Sequence, residues 1–351
     1  MYLDLAPTRH TKAFLVKLVY HLLLSLLPSI TKAFRSRNRS SQPAKYTARA
    51  FITASNNAEA NISLSDNREP LVIGYNGRMD MTFTVHALAS GSSGNATLVR
   101  AGGVSILIDA GIGMRKLTAA LAKQGLAPSD LSGAVITHEH SDHVQSAHAL
   151  SKRHGVPLIA NERTLTAFYR RKTQSEHIIL PVGDRWRIGD LEIETFPIPH
   201  DAADPVGVNV VHRPSGQKVS HLTDLGHVTE AVRRAIRGAH LLVLEANHDV
   251  HRLRGGDYPG HLKARILADT GHLSNEAAGQ LLCEHALNHG PHTVWLAHLS
   301  KENNTPKLAL GYAKATVAVE TNCPVVFDVA KRDAPSALWT PGRSSLQLSL
   351  F

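Results

Sequence analysis

From residue 82 onward, apolar and polar positions follow short, regular periods. Residues 82–89 alternate as a strand does, and 96–100 and 104–108 read as a hairpin across Ala101-Gly102-Gly103. An amphipathic helix is expected over 114–124, closed by Gly125. The apolar run 133–136 reads as a buried strand, and a helix over 144–154 should follow it. Next come a strand at 157–160, a helix at 162–171, and a hairpin over 187–196 turning at Gly189-Asp190. Thr229 is placed to cap a helix over 230–237. Strands at 241–244, 293–296 and 325–330 alternate with helices ending at 288 and covering 308–319. Strands alternating with helices define an α/β class.

The first eighty residues break this rhythm. Residues 13–30 are apolar but interrupted by Lys17, His21 and Pro28, short of the roughly 20 apolar residues a membrane span needs. They form a candidate membrane-surface helix, through which the N-terminal segment would touch a membrane. Residues 35–67 are rich in Ser, Asn and Arg and read as disordered. The expected organisation is an extension over 1–80, a catalytic domain over 81–330 and a C-terminal tail over 331–351.

Charge sharpens this division. Residues 1–80 hold eleven Lys/Arg and five Asp/Glu, so +6 of the net +9 lies there. The remainder is only mildly basic, which is weak support for a nucleic-acid partner. Cys283 and Cys323 make no disulfide framework and fit reduced thiols in a cytoplasmic protein.

The chemistry concentrates after the strand at 133–136. Thr137-His138-Glu139-His140-Ser141-Asp142-His143 sets three histidines and an aspartate within six positions. Imidazole and carboxylate at that density suit zinc, manganese or iron rather than calcium. His138 and His140 can face one metal, and Asp142 and His143 a second. Before this motif, Ser90-Gly91-Ser92-Ser93-Gly94-Asn95 allows tight turns whose hydroxyls and amides can face phosphate.

His138 to His143 is the H-x-H-x-D-H signature, and the chain resembles the metallo-β-lactamase fold superfamily. Within it, the chain resembles the YycJ/WalJ branch of exonuclease-like proteins, related to tRNase Z. The resemblance runs from about Phe83 to Asp328 and includes the Ser90 to Asn95 loop. It implies an αββα sandwich, two mixed sheets with helices outside, holding two divalent metal ions, zinc or manganese. His200, in His200-Asp201-Ala202, becomes the third ligand of the first metal, and His298 that of the second. Asp224 becomes the bridging ligand. Asp109 buttresses the ligands from behind. Ser92, Ser93, Asn95, Lys301 and Asn303 are candidate substrate contacts. A basic loop carrying Arg252, Arg254, Lys263 and Arg265 is a further candidate for backbone phosphates.

The same resemblance pairs Glu245 with His272 as proton donor. It implies a phosphodiesterase in which a metal-bridged hydroxide, carried by Asp142 and its fellow ligands, attacks phosphorus while His272 protonates the leaving group. A 5′→3′ DNA exonuclease is the expected function, with nucleic acid as partner, DNA favoured, and no stable protein partner implied. The alternatives are a small-molecule phosphodiesterase, an ester or thioester hydrolase of the lactonase kind, and a metal-binding protein without activity. Asp224 follows His200 by only 24 positions, which leaves no room for a tRNA-grasping arm.

Overall fold

The computed structural model describes residues 60–62, 73–75, 83–170, 173–289, 293–320 and 324–341. The stretch 13–30 and Cys323 lie outside the described residues. The chain divides into two compact units, Met1–Arg78 and Met79–Phe351. In the first, β1 (Ala60–Ile62) and β2 (Ile73–Tyr75) pair antiparallel. The strand at Ala60–Ile62 corrects the reading of 35–67 as disordered throughout: composition does not reveal a pairing partner eleven or more positions away.

In the second unit the chain runs through β3 (Thr84–Ala89), β4 (Ala96–Ala101), β5 (Val104–Ile108), β6 (Gly133–Val135), β7 (Leu158–Ala160) and β8 (His177–Ile179). It then runs through β9 (Arg185–Ile188), β10 (Leu191–Pro197), β11 (Val206–His212), β12 (Gln217–Leu222), β13 (Leu241–Glu245), β14 (Thr293–Ala297), β15 (Val326–Val329) and β16 (Leu338–Trp339). These make two seven-stranded sheets, ordered β16-β3-β4-β5-β6-β7-β8 and β9-β10-β11-β12-β13-β14-β15. Each has three antiparallel pairings followed by three parallel ones. The switch falls after the fourth strand in both, β5 and β12.

Nine helices lie among the described residues: α1 (Met114–Ala122), α2 (Ser141–Val144), α3 (Ala147–His154), α4 (Glu162–Tyr169), α5 (Glu230–Ala235), α6 (Val250–Gly255), α7 (Gly260–Leu267), α8 (Asn275–His289) and α9 (Pro306–Glu320). Strand alternation sorts the core into layers. Ile106, Ile108, Val219, Leu241, Val243 and Trp295 face inward between the sheets. Leu107, Leu158 and Leu98 face out against Leu117 and Leu121 of α1 and Leu150 of α3. Leu242, Leu244 and Leu296 face out on the other side, against Val232 of α5, Leu281 of α8 and Ala313 of α9. The layers therefore run helix, sheet, sheet, helix, and each such buried aliphatic side chain contributes about 1.5–3 kcal/mol. At the edge, Arg185 and Arg187 of β9 are mostly exposed and paired with Glu192 and Glu194 of β10, which blunts a row of open backbone groups.

Three readings need correction. Residues 331–351 are not simply a tail: β16 pairs Leu338 with His86 and Trp339 with Val85, and Trp339 is buried in the inner layer. A two-residue strand carries no period of its own. The basic loop is mostly helical, as α6 and α7; Asp249 caps α6 by accepting from the Arg252 amide at 2.7 Å. The helix expected over 144–154 is interrupted after α2, where Ser146 turns its hydroxyl to the Ile112 carbonyl at 2.6 Å.

Strands β3, β5, β6, β10, β12, β13 and β14 all run in directions that bring their carboxyl ends to one rim of the sandwich, given the pairings above. Open sheets place ligand sites at that rim, where a switch in strand order opens a crevice.

Candidate metal centre and its cavity

Each strand end on the rim delivers one piece of the site. β6 runs into His138 to His143, β10 into His200, β12 into Asp224, β13 ends at Glu245, and β14 leads to His298. Asp109, Asp224 and His298 all take left-handed backbone, at φ 60°, 60° and 54°. For non-glycine residues this costs on the order of 1–3 kcal/mol each, and such outliers cluster at functional sites. Next to Asp109, Gly111 has no alternative: a Cβ there would collide with the carbonyl of Asp142.

The ligand-type atoms fall into tight groups, each within 4.8 Å: His138, His140 and His200; His138, His143 and Asp224; Asp142, His143 and His298; and Asp224, Glu245, His272 and His298. Their rings are held from behind. His143 turns Nδ1 to Asp109 Oδ2 at 2.8 Å and Nε2 to Asp224 Oδ2 at 2.9 Å. His200 turns Nδ1 to the Gly271 carbonyl at 3.1 Å, and His298 turns Nδ1 to Glu245 Oε1 at 2.8 Å. Three imidazoles thus spend Nδ1 on an outer oxygen and keep Nε2 for the centre, the arrangement that orients metal-ligating histidines. Asp109 also accepts from the Thr137 amide at 2.9 Å and the Thr137 hydroxyl at 3.0 Å.

Electrostatics and unmet valences suit a cation. His138 Nε2 and His298 Nε2 are buried without a hydrogen-bond partner. Burial, reinforced by the neighbouring His143, pushes His138 well below its usual pKa and keeps it neutral, the form that ligates. Burial opposes charge on Asp224, yet His298 and His143 hold it well below the usual carboxylate range. Nearby carboxylates raise His143 and His298, so the neutral His138 nitrogen, the Asp224 carboxylate and these two rings make a donor set that a divalent metal can occupy by displacing their protons.

Glu245 lies beneath this group, fully buried. Its Oε1 accepts from His272 Nδ1 at 2.9 Å as well as from His298, while Oε2 accepts from the amides of Leu225 at 2.7 Å and Leu273 at 3.2 Å. Burial disfavours a charged His272, but Glu245 overcomes this and raises its pKa. His272 keeps 21% of its side chain exposed, on the wall of a cavity of about 280 Å³. His140, Asp142, His200, Asp224 and His298 line the same cavity.

The proposed substrate contacts separate. Ser92 lines the cavity. Ser93 is exposed and donates to Asp333 at 3.0 Å, away from it. Asn95 is buried under the ligands: its Nδ2 lies 3.2 Å from Asp142 Oδ2 and 3.0 Å from His143 Nε2, so it positions the motif. Lys301 is mostly exposed beside Glu302 and lines neither cavity described here, and Asn303 lines an adjacent cleft with Arg252. Sequence reasoning places Ser90 in a phosphate-facing loop and gives Asn247 no role, but the Ser90 hydroxyl accepts from the His298 amide at 2.9 Å and Asn247 Nδ2 donates to the His298 carbonyl at 2.9 Å. No sequence signal reveals these contacts, because they join distant loops. Arg265 and Tyr258 do line the cavity, although only the cluster of basic residues around them hinted at it.

A helix-sheet-sheet-helix sandwich with clustered imidazoles and carboxylates at its rim defines a metal-dependent hydrolase. The profile described as "Beta-lactamase superfamily domain" matches residues 105–298. The chain is 40% identical over 235 residues to the Exodeoxyribonuclease YycJ of Bacillus anthracis, covering 66% of this chain and 87% of that one. It is 37% identical over 235 residues to the Exodeoxyribonuclease WalJ of Streptococcus pneumoniae, covering 66% and 86%. The chain belongs to the beta-lactamase superfamily, in the family of these YycJ and WalJ proteins. The fold is shared with the metallo-beta-lactamase fold protein YhfI from Bacillus subtilis, at TM-score 0.55 and 18% identity over 74% of this chain and 99% of that one. No helix among the described residues is long and apolar enough to cross a membrane.

Proposed function

We propose that this chain is a two-metal phosphodiesterase acting on DNA, a 5′→3′ exonuclease. One observation carries the reading above the names of its relatives: Glu245 holds His272 by Nδ1 at 2.9 Å on the wall of the cavity that the ligands line. An ester with a thiolate leaving group has no use for such a proton donor, whereas an unactivated phosphodiester does.

His138, His140 and His200 would hold one zinc or manganese ion and Asp142, His143 and His298 the other, with Asp224 as the shared ligand. When bound, such a metal pair would supply a water of lowered pKa and positive charge beside the phosphate. The chain supplies the rest. Glu245 fixes the tautomer of His272, so the proton that reaches the leaving oxygen sits on Nε2. The same carboxylate oxygen orients His298, which ties the acid to the ligand set. Asp109 and Thr137 keep His143 facing the centre. Asn95 anchors the loop of Asp142, whose carbonyl accepts from the Asn95 amide at 2.7 Å.

The cavity volume of about 280 Å³ also favours a second reading, a small-molecule phosphodiesterase. One experiment separates them. The full chain, loaded with manganese or zinc, is given duplex DNA labelled at the 5′ or the 3′ end. Metal-dependent release of mononucleotides from the 5′ end is expected. A metal-replete protein that leaves DNA intact but hydrolyses bis(p-nitrophenyl) phosphate moves the assignment to a small diester.

A further inference from the structure

The cavity has two unlike walls. One is the ligand wall, with its carboxylates and imidazoles. The other comes from the segment 258–271 and presents Tyr258, Leu262 and Ile266, with Arg265 beside them. Arg265 is the one basic side chain among the lining residues other than the imidazoles, and Tyr258 is their one phenyl-type ring.

The two walls are fixed to each other by the backbone. The His272 amide donates to the Ile266 carbonyl at 3.0 Å, and the Asp201 amide donates to the Thr270 carbonyl at 3.1 Å. The Gly271 carbonyl accepts from His200 Nδ1. Gly271 permits this approach, since a Cβ there would strike the carbonyls of Ile266 and Arg265. Arg265 Nε donates to Asp201 Oδ2 at 2.6 Å, which sets the guanidinium plane and leaves its terminal nitrogens to a ligand. Arg265 therefore stands at a fixed offset from the metal ligands, on the same cavity wall as the Tyr258 ring.

We propose that this second wall is a nucleotide seat: Tyr258, backed by Leu262 and Ile266, stacks the terminal base, and Arg265 takes a non-bridging oxygen of the terminal nucleotide's phosphate. The inference rests on the nuclease reading and names how that site grips its substrate. Aromatic faces stack any base, so the seat is tolerant of sequence. Arginine offers paired donors to phosphate that a lysine does not. The volume of about 280 Å³, near the lower end of the usual ligand-pocket range of about 300–1,000 Å³, suits a ligand the size of one nucleotide.

The test measures binding rather than turnover. Calorimetry on the full, manganese-loaded chain compares 2′-deoxyadenosine 5′-monophosphate with 2-deoxyribose 5-phosphate. Tyr258→Ala should weaken the nucleotide about tenfold or more and leave the sugar phosphate unchanged. Tyr258→Phe should bind both within about twofold of the native chain, because the π face is kept. Arg265→Gln should weaken both ligands. Metal content and melting temperature accompany each variant, and Tyr258→Leu replaces the alanine variant if the latter loosens the fold. The proposal is overturned if the native chain does not prefer the nucleotide, or if Tyr258→Ala weakens both ligands alike or neither. Hydrolysis of bis(p-nitrophenyl) phosphate by the native chain reports on the phosphodiesterase reading separately. Its absence sinks that reading while the binding comparison still decides the seat.

Discussion

Asp109 and Asp224 occupy the same place in the two sheets. Each follows the fourth strand, β5 or β12, where pairing switches from antiparallel to parallel, and each has φ 60°. One has become a buttress and the other faces the centre, and His143 joins them, Nδ1 to Asp109 at 2.8 Å and Nε2 to Asp224 at 2.9 Å. Two sheets of matched order thus converge on a single imidazole.

Asp109→Asn keeps the volume and removes the charge behind His143. It should lower metal affinity by about 10–100-fold, the usual cost of losing an outer-sphere carboxylate. Titration of the apo-protein with manganese, read by calorimetry, checks this. An unchanged dissociation constant would show that Asp109 only fills space.

Glu245 and His272 separate by their effects on metal. His272→Ala should retain both metals and slow DNA hydrolysis by about 10²–10⁴-fold, the range for a lost general acid. Glu245→Gln should do more, because its Oε1 also orients His298: turnover falls and metal is lost as well. Mass-spectrometric metal content beside turnover distinguishes the two. If Glu245→Gln keeps full metal, the carboxylate serves His272 alone.

These contrasts show what a linear reading reaches. His138 to His143 lie on one loop, so spacing alone exposes them. Their partners at His200, Asp224 and His298 stand at the ends of other strands, and only family resemblance connected them. Asn95 reads in the sequence as a substrate contact, while its amide meets Asp142 across 47 positions, and no local pattern tells a buried amide from one facing substrate. Likewise the basic loop hides α7, because Gly260 at its first position, after Pro259 as N-cap, is not a helix-start signal. Trp339 belongs to the inner layer only because β16 finds β3 at the far end of the chain.

Among the described glycines, Gly111 leaves the least room for a side chain. Gly111→Ala places a methyl group against the Asp142 carbonyl. The loop must shift, at about 1–3 kcal/mol for overpacking, and Asp142 moves with it. A lower melting temperature together with partial metal loss is the expected outcome in thermal unfolding and metal analysis. A variant with native stability and full metal would mean that the loop yields without cost.

His221 supplies a pH dependence distinct from the metal ligands. It lies between the sheets, 4% exposed, and shares a hydrogen bond of 3.2 Å with the Thr97 hydroxyl. Burial pushes its pKa down from 6.5 to about 4. Between those values the unfolded chain binds the proton that the folded chain refuses, so stability falls as pH drops through this window. The full window corresponds to about 3 kcal/mol. His221→Gln can keep the bond to Thr97 and does not titrate, so its stability should fall less over the same range. Urea unfolding of both proteins at several values between pH 7.5 and pH 4, with manganese in excess, measures the difference. Parallel pH profiles would falsify the assignment and place the acid sensitivity in other groups.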